Sequence, residues 1–278
     1  MTDIPLFHPD RETRGMRPLK AWKHFRQLIA DKEDTSQVFH ILEALRDRRF
    51  GQTAAQFFAT EEGRKLLAER TYLPAMLDDH AALKQLPDGS VGRVYVDFME
   101  REGLTAQGLV DEQYKVTGKQ HQFDDQVELF GQRMRDTHDL HHILTGYGRD
   151  ALGEQCVLAF SYSQTPSWGT LFIAWAGARE IRKNPRAAKY PIYAAVREGQ
   201  RNGKAAQAIG FQNIDALLAE NLEEARARMG IKVPHYYQQC HEMMRADGVD
   251  PYDLLGENGA KSLVEKSSAA AVPLREAA

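Results

Sequence analysis

Two cysteines in 278 residues, Cys156 and Cys240, are too few for a disulfide framework and fit a reducing compartment. Positive charge is not in excess either. The 36 Lys and Arg stand against 39 Asp and Glu, a formal net charge of −3, which argues against nucleic acid as a partner. Long apolar runs are missing. The most apolar stretch, WGTLFIAWAGA from Trp168 to Ala178, has 11 residues against the roughly 20 that span a bilayer, and it reads as a buried helix. The first residues, MTDIPLFHPDRETRGMRPLK, lack the charged-then-apolar order of a secretory leader. The expected location is therefore cytoplasmic. Internal repeats and runs of alternating apolar and polar residues are also lacking, which leaves little room for a sheet.

What is present is helical periodicity. Leu19, Trp22, Phe25 and Leu28 are spaced for a helix over 17–31. Asp34, Thr35 and Ser36 are N-cap candidates for a second helix with Val38, Ile41, Leu42 and Leu45 on one face. Further helices are expected at TEEGRKLLAER, after the Pro-Asp-Gly turn of LPDGSVGRVYVDFMEREGL, and at 168–182, 191–208 and 213–229. A longer helix is predicted from His121 to Ile143, broken by TGYG, with Asp150 capping a return helix from Ala151. Residues 1–16 read as an N-terminal extension, 17–255 as a single all-α domain, and 256–278 as a flexible tail of small and polar residues.

The densest chemistry lies in RDTHDLHHILTGYGRDALGE, Arg135 to Glu154. At about 100° per residue, His138 and His142 share a helix face one turn apart, and Asp139 lies within about 100° of both. A reversal within the 11 residues before Glu154 would return its carboxylate across the pair. Two imidazoles and up to two carboxylates suit zinc with an open position or a two-histidine, one-carboxylate iron centre; magnesium and manganese prefer more oxygen. The spacing alone leaves a second reading open. His138 and His141 continue an apolar stripe and could be core histidines, Asp139 could pair with Arg135 at i−4, and Glu154 suits a first helical turn without an ion. No HExxH is present, since Asp139 stands where that motif has its glutamate, which disfavours a hydrolase of that kind.

The string His138-Asp139-x-x-His142-(11 residues)-Glu154, with LTGYG and LGE in place, resembles the signature of the Coq4 family of ubiquinone-biosynthesis proteins. LPDGSVGRVYVDFMEREGL and NIDALLAENLEEARARMGI are similar to that family as well, so the likeness covers roughly 85–235. It implies a divalent metal, zinc or iron, held by His138, Asp139, His142 and Glu154. His141 is left beside the ligands or in the core. Arg135 is placed to orient Asp139 or meet an anionic substrate. The resemblance further implies a polyprenylated hydroxybenzoate-type substrate, with loss of the ring carboxyl and hydroxylation at that carbon. The alternative is a non-catalytic lipid-binding organiser of other ubiquinone-biosynthesis enzymes. Such a substrate implies peripheral membrane contact, at the inner face of the membrane in a bacterium, for which Arg182, Lys183, Arg186 and Lys189 offer a basic cluster. The apolar C-terminal half is compatible with a homodimer.

Overall fold

Short polar residues divide the chain into helices by supplying the acceptors that the first turns need. Thr60 accepts from Gly63 N, Ser90 from Arg93 N, Thr105 from Gly108 N, Asp125 from Glu128 N, and Asp150 from Leu152 N and Gly153 N. The computed structural model describes residues 4–11, 15–31, 34, 36–118 and 123–254. The helices of the first half are α1 (Pro18–Ala30), α2 (Ser36–Ala44), α3 (Arg48–Phe58), α4 (Glu61–Glu69), α5 (Leu73–Leu77), α6 (His80–Leu83), α7 (Val91–Glu102) and α8 (Ala106–Thr117). Those of the second half are α9 (Gln126–Asp136), α10 (His138–Thr145), α11 (Ala151–Gln164), α12 (Trp168–Lys183), α13 (Ile192–Ala205), α14 (Ile214–Ala219), α15 (Leu222–Met229) and α16 (His235–Ala246). Among the described residues no strand forms, and the single antiparallel bridge joins Ser90 to Asn221. The all-α expectation holds. The tail expected to be flexible lies outside the described residues.

The long helix expected from His121 to Ile143 is instead two helices. Residues 121 and 122 are outside the described set, α9 starts after its Asp125 cap, and Thr137 (φ −91°, ψ 5°) separates α9 from α10. The Thr137 hydroxyl donates to Arg133 O at 2.9 Å, so this buried residue closes the last turn of α9 itself. The span 213–229 is likewise split into α14 and α15, because the Asn221 side chain caps a new helix at Glu223 and Glu224. Helices α3, α5, α6, α8 and α16 have no counterpart in the expectations. The extension expected at 1–16 is tied down where it is described: Gln126 N and Val127 N donate to Pro5 O and Leu6 O, and Arg11 holds Asp125 at 2.6 and 2.8 Å.

The main core lies around α11. Leu152, Cys156, Val157 and Phe160 are fully buried with Tyr95, Met99, Leu140 and Leu144. α13 approaches at backbone distance, since a Cβ at Gly203 would stand 2.2 Å from Phe160 O. Two smaller clusters flank it. Ala21, Phe25, Ile41 and Ile173 join α1, α2 and α12, while Phe57, Phe58, Leu66 and Phe130 join α3, α4 and α9. Between the α1–α2 pair and α8, α11 and α12 a cavity of about 1170 Å³ remains. None of the described helices is long and apolar enough to cross a membrane.

Candidate metal centre

The two-turn helix α10 places its ligands by burying one side. Leu140 and Leu144 are fully buried, and Gly146 ends the helix in the left-handed conformation (φ 75°) that costs a glycine little. Arg226 of α15, buried itself, donates to Ile143 O at 2.7 Å and Leu144 O at 2.9 Å, satisfying carbonyls that the helix end leaves without partners. On the opposite side His138, Asp139 and His142 each offer a ligand atom within 4.8 Å of the others.

The two imidazoles face each other, with Nε2 of His138 and of His142 3.3 Å apart. Two nitrogens at about 2.05 Å from one tetrahedral ion lie about 3.3 Å apart, so the donor spacing fits zinc or a comparable divalent ion. The chain reverses through Gly146–Arg149, and Glu154 in the first turn of α11 closes the group. Its Oε1 is 3.5 Å from His142 Nε2 and its Oε2 3.8 Å from His138 Nε2. Of the four expected positions, His138, Asp139 and His142 form one group, and Glu154 reaches the two imidazoles but falls outside that group, although their helix is not the one expected. His142 has its side chain sealed, whereas those of His138 and Glu154 keep 28% and 30% exposure toward the cavity. One face of the group is thus open to a substrate and the other is closed by Phe98, stacked on His142 at 5.8 Å.

Electrostatics match a cation site. Burial opposes ionisation of Glu154, but His142, His138 and Arg149 outweigh it and lower its carboxyl to about 2. Burial also works against a charged His138, yet Glu154 raises its pKa overall, and burial lowers that of His142. His142 Nδ1 lies 3.1 Å from Tyr147 O, so Nδ1 carries the proton and Nε2 presents its lone pair to the group.

Two of the neighbouring expectations change. Arg135 neither pairs with nor orients Asp139; it donates to Asp136 Oδ1 at 2.7 Å and Gln113 Oε1 at 2.6 Å. The break at Thr137 removes the i, i+4 register on which that pairing depended. Of the basic cluster, Lys183 is bound to Glu180, Lys189 to Asp247, and Arg182 to the carbonyls of Ala188 and Tyr190, which leaves little of it for lipid head groups. His141 belongs to the core: it is buried, with Nδ1 2.9 Å from Thr137 O. Sequence reasoning missed Arg149, which lies 3.8 Å from Glu154 and 3.7 Å from Glu102. A cation inside the 11-residue spacer was the available signal for it. Glu102, far away in sequence on α7, offered none.

Known proteins share long stretches of this sequence and its fold. Ubiquinone biosynthesis protein coq4, mitochondrial, from Talaromyces stipitatus is 29% identical over 185 residues, 66% of this chain and 60% of the relative. The protein of the same description from Debaryomyces hansenii is 30% identical over 183 residues, 64% of this chain and 53% of the relative. The chain thus spans between about half and three fifths of the length of these curated relatives. A solved chain described as a ubiquinone biosynthesis protein, from Nostoc punctiforme PCC 73102, shares the fold with a TM-score of 0.59 at 22% identity, over 78% of this chain and 100% of that one. The family profile described as coenzyme Q (ubiquinone) biosynthesis protein Coq4 matches residues 27–235, a span that takes in α2 to α15 and with them His138, Asp139, His142 and Glu154. By that match the chain belongs to the Coq4 family.

Proposed function

We propose that this chain acts on a polyprenylated hydroxybenzoate-type intermediate of ubiquinone synthesis, removing the ring carboxyl and hydroxylating the same carbon with the help of a metal held by His138, Asp139, His142 and Glu154. One observation carries this reading: the side chains of His138, Asp139 and Glu154 border the same 1170 Å³ cavity that Phe25, Leu28, Leu42, Leu104 and Ile173 line with apolar surface. An aromatic head at the polar end and a prenyl chain along the apolar part suit that division.

Replacement of carboxyl by hydroxyl releases carbon dioxide and inserts one oxygen atom. With dioxygen as oxidant, the second oxygen atom leaves as water and an external donor supplies two electrons. A bound iron would supply oxygen chemistry, whereas zinc would supply only polarisation of the substrate. The chain's own residues do the rest. Tyr147 O fixes the tautomer of His142, Phe98 closes the inner face, and His138 Nε2, 3.8 Å from Glu154, must be free of its proton when the group takes up a cation. Helix α1 gives the membrane contact a more suitable surface than the basic cluster does. Leu19 and Trp22 are exposed beside Lys20 and Lys23, while Phe25 and Leu28 of the same helix line the cavity. The curated relatives are named mitochondrial; here the proposal is peripheral association with the membrane that carries the quinone.

The alternative, a lipid-binding organiser that presents intermediates to other enzymes of the route, draws on the size of the cavity. The experiment is metal analysis of the purified protein beside turnover of a prenylated hydroxybenzoate under oxygen. Carbon dioxide release that needs oxygen and the bound metal supports catalysis. Unchanged ubiquinone production in cells carrying His138→Ala or Glu154→Ala would end the catalytic reading, and retained lipid binding in those variants would favour the organiser.

A further inference from the structure

Arg149 stands at the end of the reversal between α10 and α11, beside the metal centre, and borders the cavity. Its guanidinium carries five N–H donors in a fixed fork. Among the described residues it donates no hydrogen bond. Its ion-pair partners are Glu102 Oε2 at 3.7 Å and Glu154 Oε1 at 3.8 Å, both beyond hydrogen-bond reach. Two carboxylates therefore hold the cation in position without using its donors, and its side chain remains 33% exposed. Other arginines of the fold are committed: Arg133 to Gly210 O and Gln212 O, Arg135 to Asp136, and Arg226 to Ile143 O and Leu144 O.

We infer that Arg149 receives the ring carboxylate of the substrate and so turns the reacting carbon toward the metal centre. This rests on the substrate reading above and adds the residue that recognises it. Position favours it, because the guanidinium borders the cavity within ion-pair distance of Glu154. Geometry favours it, because an arginine fork matches the two oxygens of a carboxylate. Charge separates a carboxylate from a phosphate. Glu102, Asp139 and Glu154 already surround the guanidinium and the metal position, and they repel a dianionic phosphate more strongly than a monoanionic carboxylate. A neutral hydroquinone, the head group once hydroxyl has replaced carboxyl, makes no such pair, and neither does the simple phenol, so the same contact that holds substrate lets product go.

The test is direct binding of three probes to purified protein, with and without added metal: a geranylated 4-hydroxybenzoate, the matching geranylated phenol, and geranyl phosphate. Wild-type protein is expected to prefer the carboxylate over the phenol by about tenfold or more. Arg149→Gln abolishes that preference while binding the phenol as wild type does. Arg149→Lys, which keeps the charge and loses the fork, retains only part of it and carries the test if the glutamine variant folds poorly. An unchanged carboxylate preference in both variants overturns the assignment and leaves the substrate reading standing. So does an Arg149-dependent preference for geranyl phosphate over the carboxylate, or phenol binding that falls in step with carboxylate binding. Failure of the wild type to bind either aromatic probe removes the substrate reading and the assignment together.

Discussion

The carbonyl oxygen of Tyr147 lies 3.1 Å from Nδ1 of His142, and the turn that carries this carbonyl is itself held from a distance. Gly148 N donates to the Tyr237 hydroxyl at 2.8 Å, and that hydroxyl donates to Asp150 Oδ2 at 2.5 Å. Asp150 in turn caps α11, the helix that brings Glu154. One phenol on α16 thus ties together the two halves of the candidate metal centre.

Tyr237→Phe keeps the ring and its edge contact with Tyr147 but removes the link. Metal affinity, measured by competition with a chromogenic chelator, should fall by about tenfold, the lower end of what loss of a supporting hydrogen bond costs. Unaltered affinity would show that the turn holds its shape without α16.

Acid should weaken the fold through His141. Burial depresses its pKa to about 4 from an ordinary value of 6.5. Between those values the unfolded chain binds a proton that the folded chain refuses. Stability from this group is whole above pH 6.5 and lost as pH falls toward 4, by about 3 kcal/mol in all. Denaturant unfolding of His141→Leu between pH 7 and 4.5 should show a smaller loss than wild type. Equal slopes would place the acid sensitivity elsewhere.

Arg226→Met preserves bulk and removes the donors to Ile143 O and Leu144 O. The expected cost is about 3 kcal/mol of unfolding free energy, since two buried carbonyls lose a charged partner. Metal uptake should weaken with it, because α10 loses its C-terminal anchor. A loss below about 1 kcal/mol would mean that other groups satisfy these carbonyls.

Leu158 sits four residues after Glu154 on α11 and lines the cavity. Leu158→Trp narrows the cavity one turn beyond the metal centre. Binding of long-chain prenylated hydroxybenzoates should weaken by about tenfold or more, the order expected when a pocket can no longer take several methylenes. Affinity for the head group without its chain, and metal content, should stay near wild type. Equal weakening of both ligands would show that the chain does not run along this part of the cavity.

The His-Asp-His group was legible because its geometry is local. His138, Asp139 and His142 lie within two turns, and Asp150 announces the return helix by its type and place. The all-α class was legible for a similar reason, through the apolar faces of α1 and α2. What periodicity does not reveal is where a stripe is cut. The face Phe130–Met134–His138 runs on smoothly in sequence, and the cut at Thr137 comes from a hydroxyl bonding back to Arg133 O, a choice the residue type allows but does not announce. Arg135 was misplaced as a direct result. Most of the cavity's far wall was illegible, because Phe25 and Leu104 come from distant segments, and an apolar residue facing a void looks the same in sequence as one in a core.

The cut at Thr137 also bears on how this site withstands change. In one unbroken helix, gaining or losing a residue in α9 would swing every ligand by about 100°. With the junction in place, such a change can be taken up at Thr137 while Arg226, Leu140 and Leu144 keep α10 in its seat. Segments upstream of the ligands can then drift in length without erasing them, and the spacing that cannot drift is the one from His138 to Glu154.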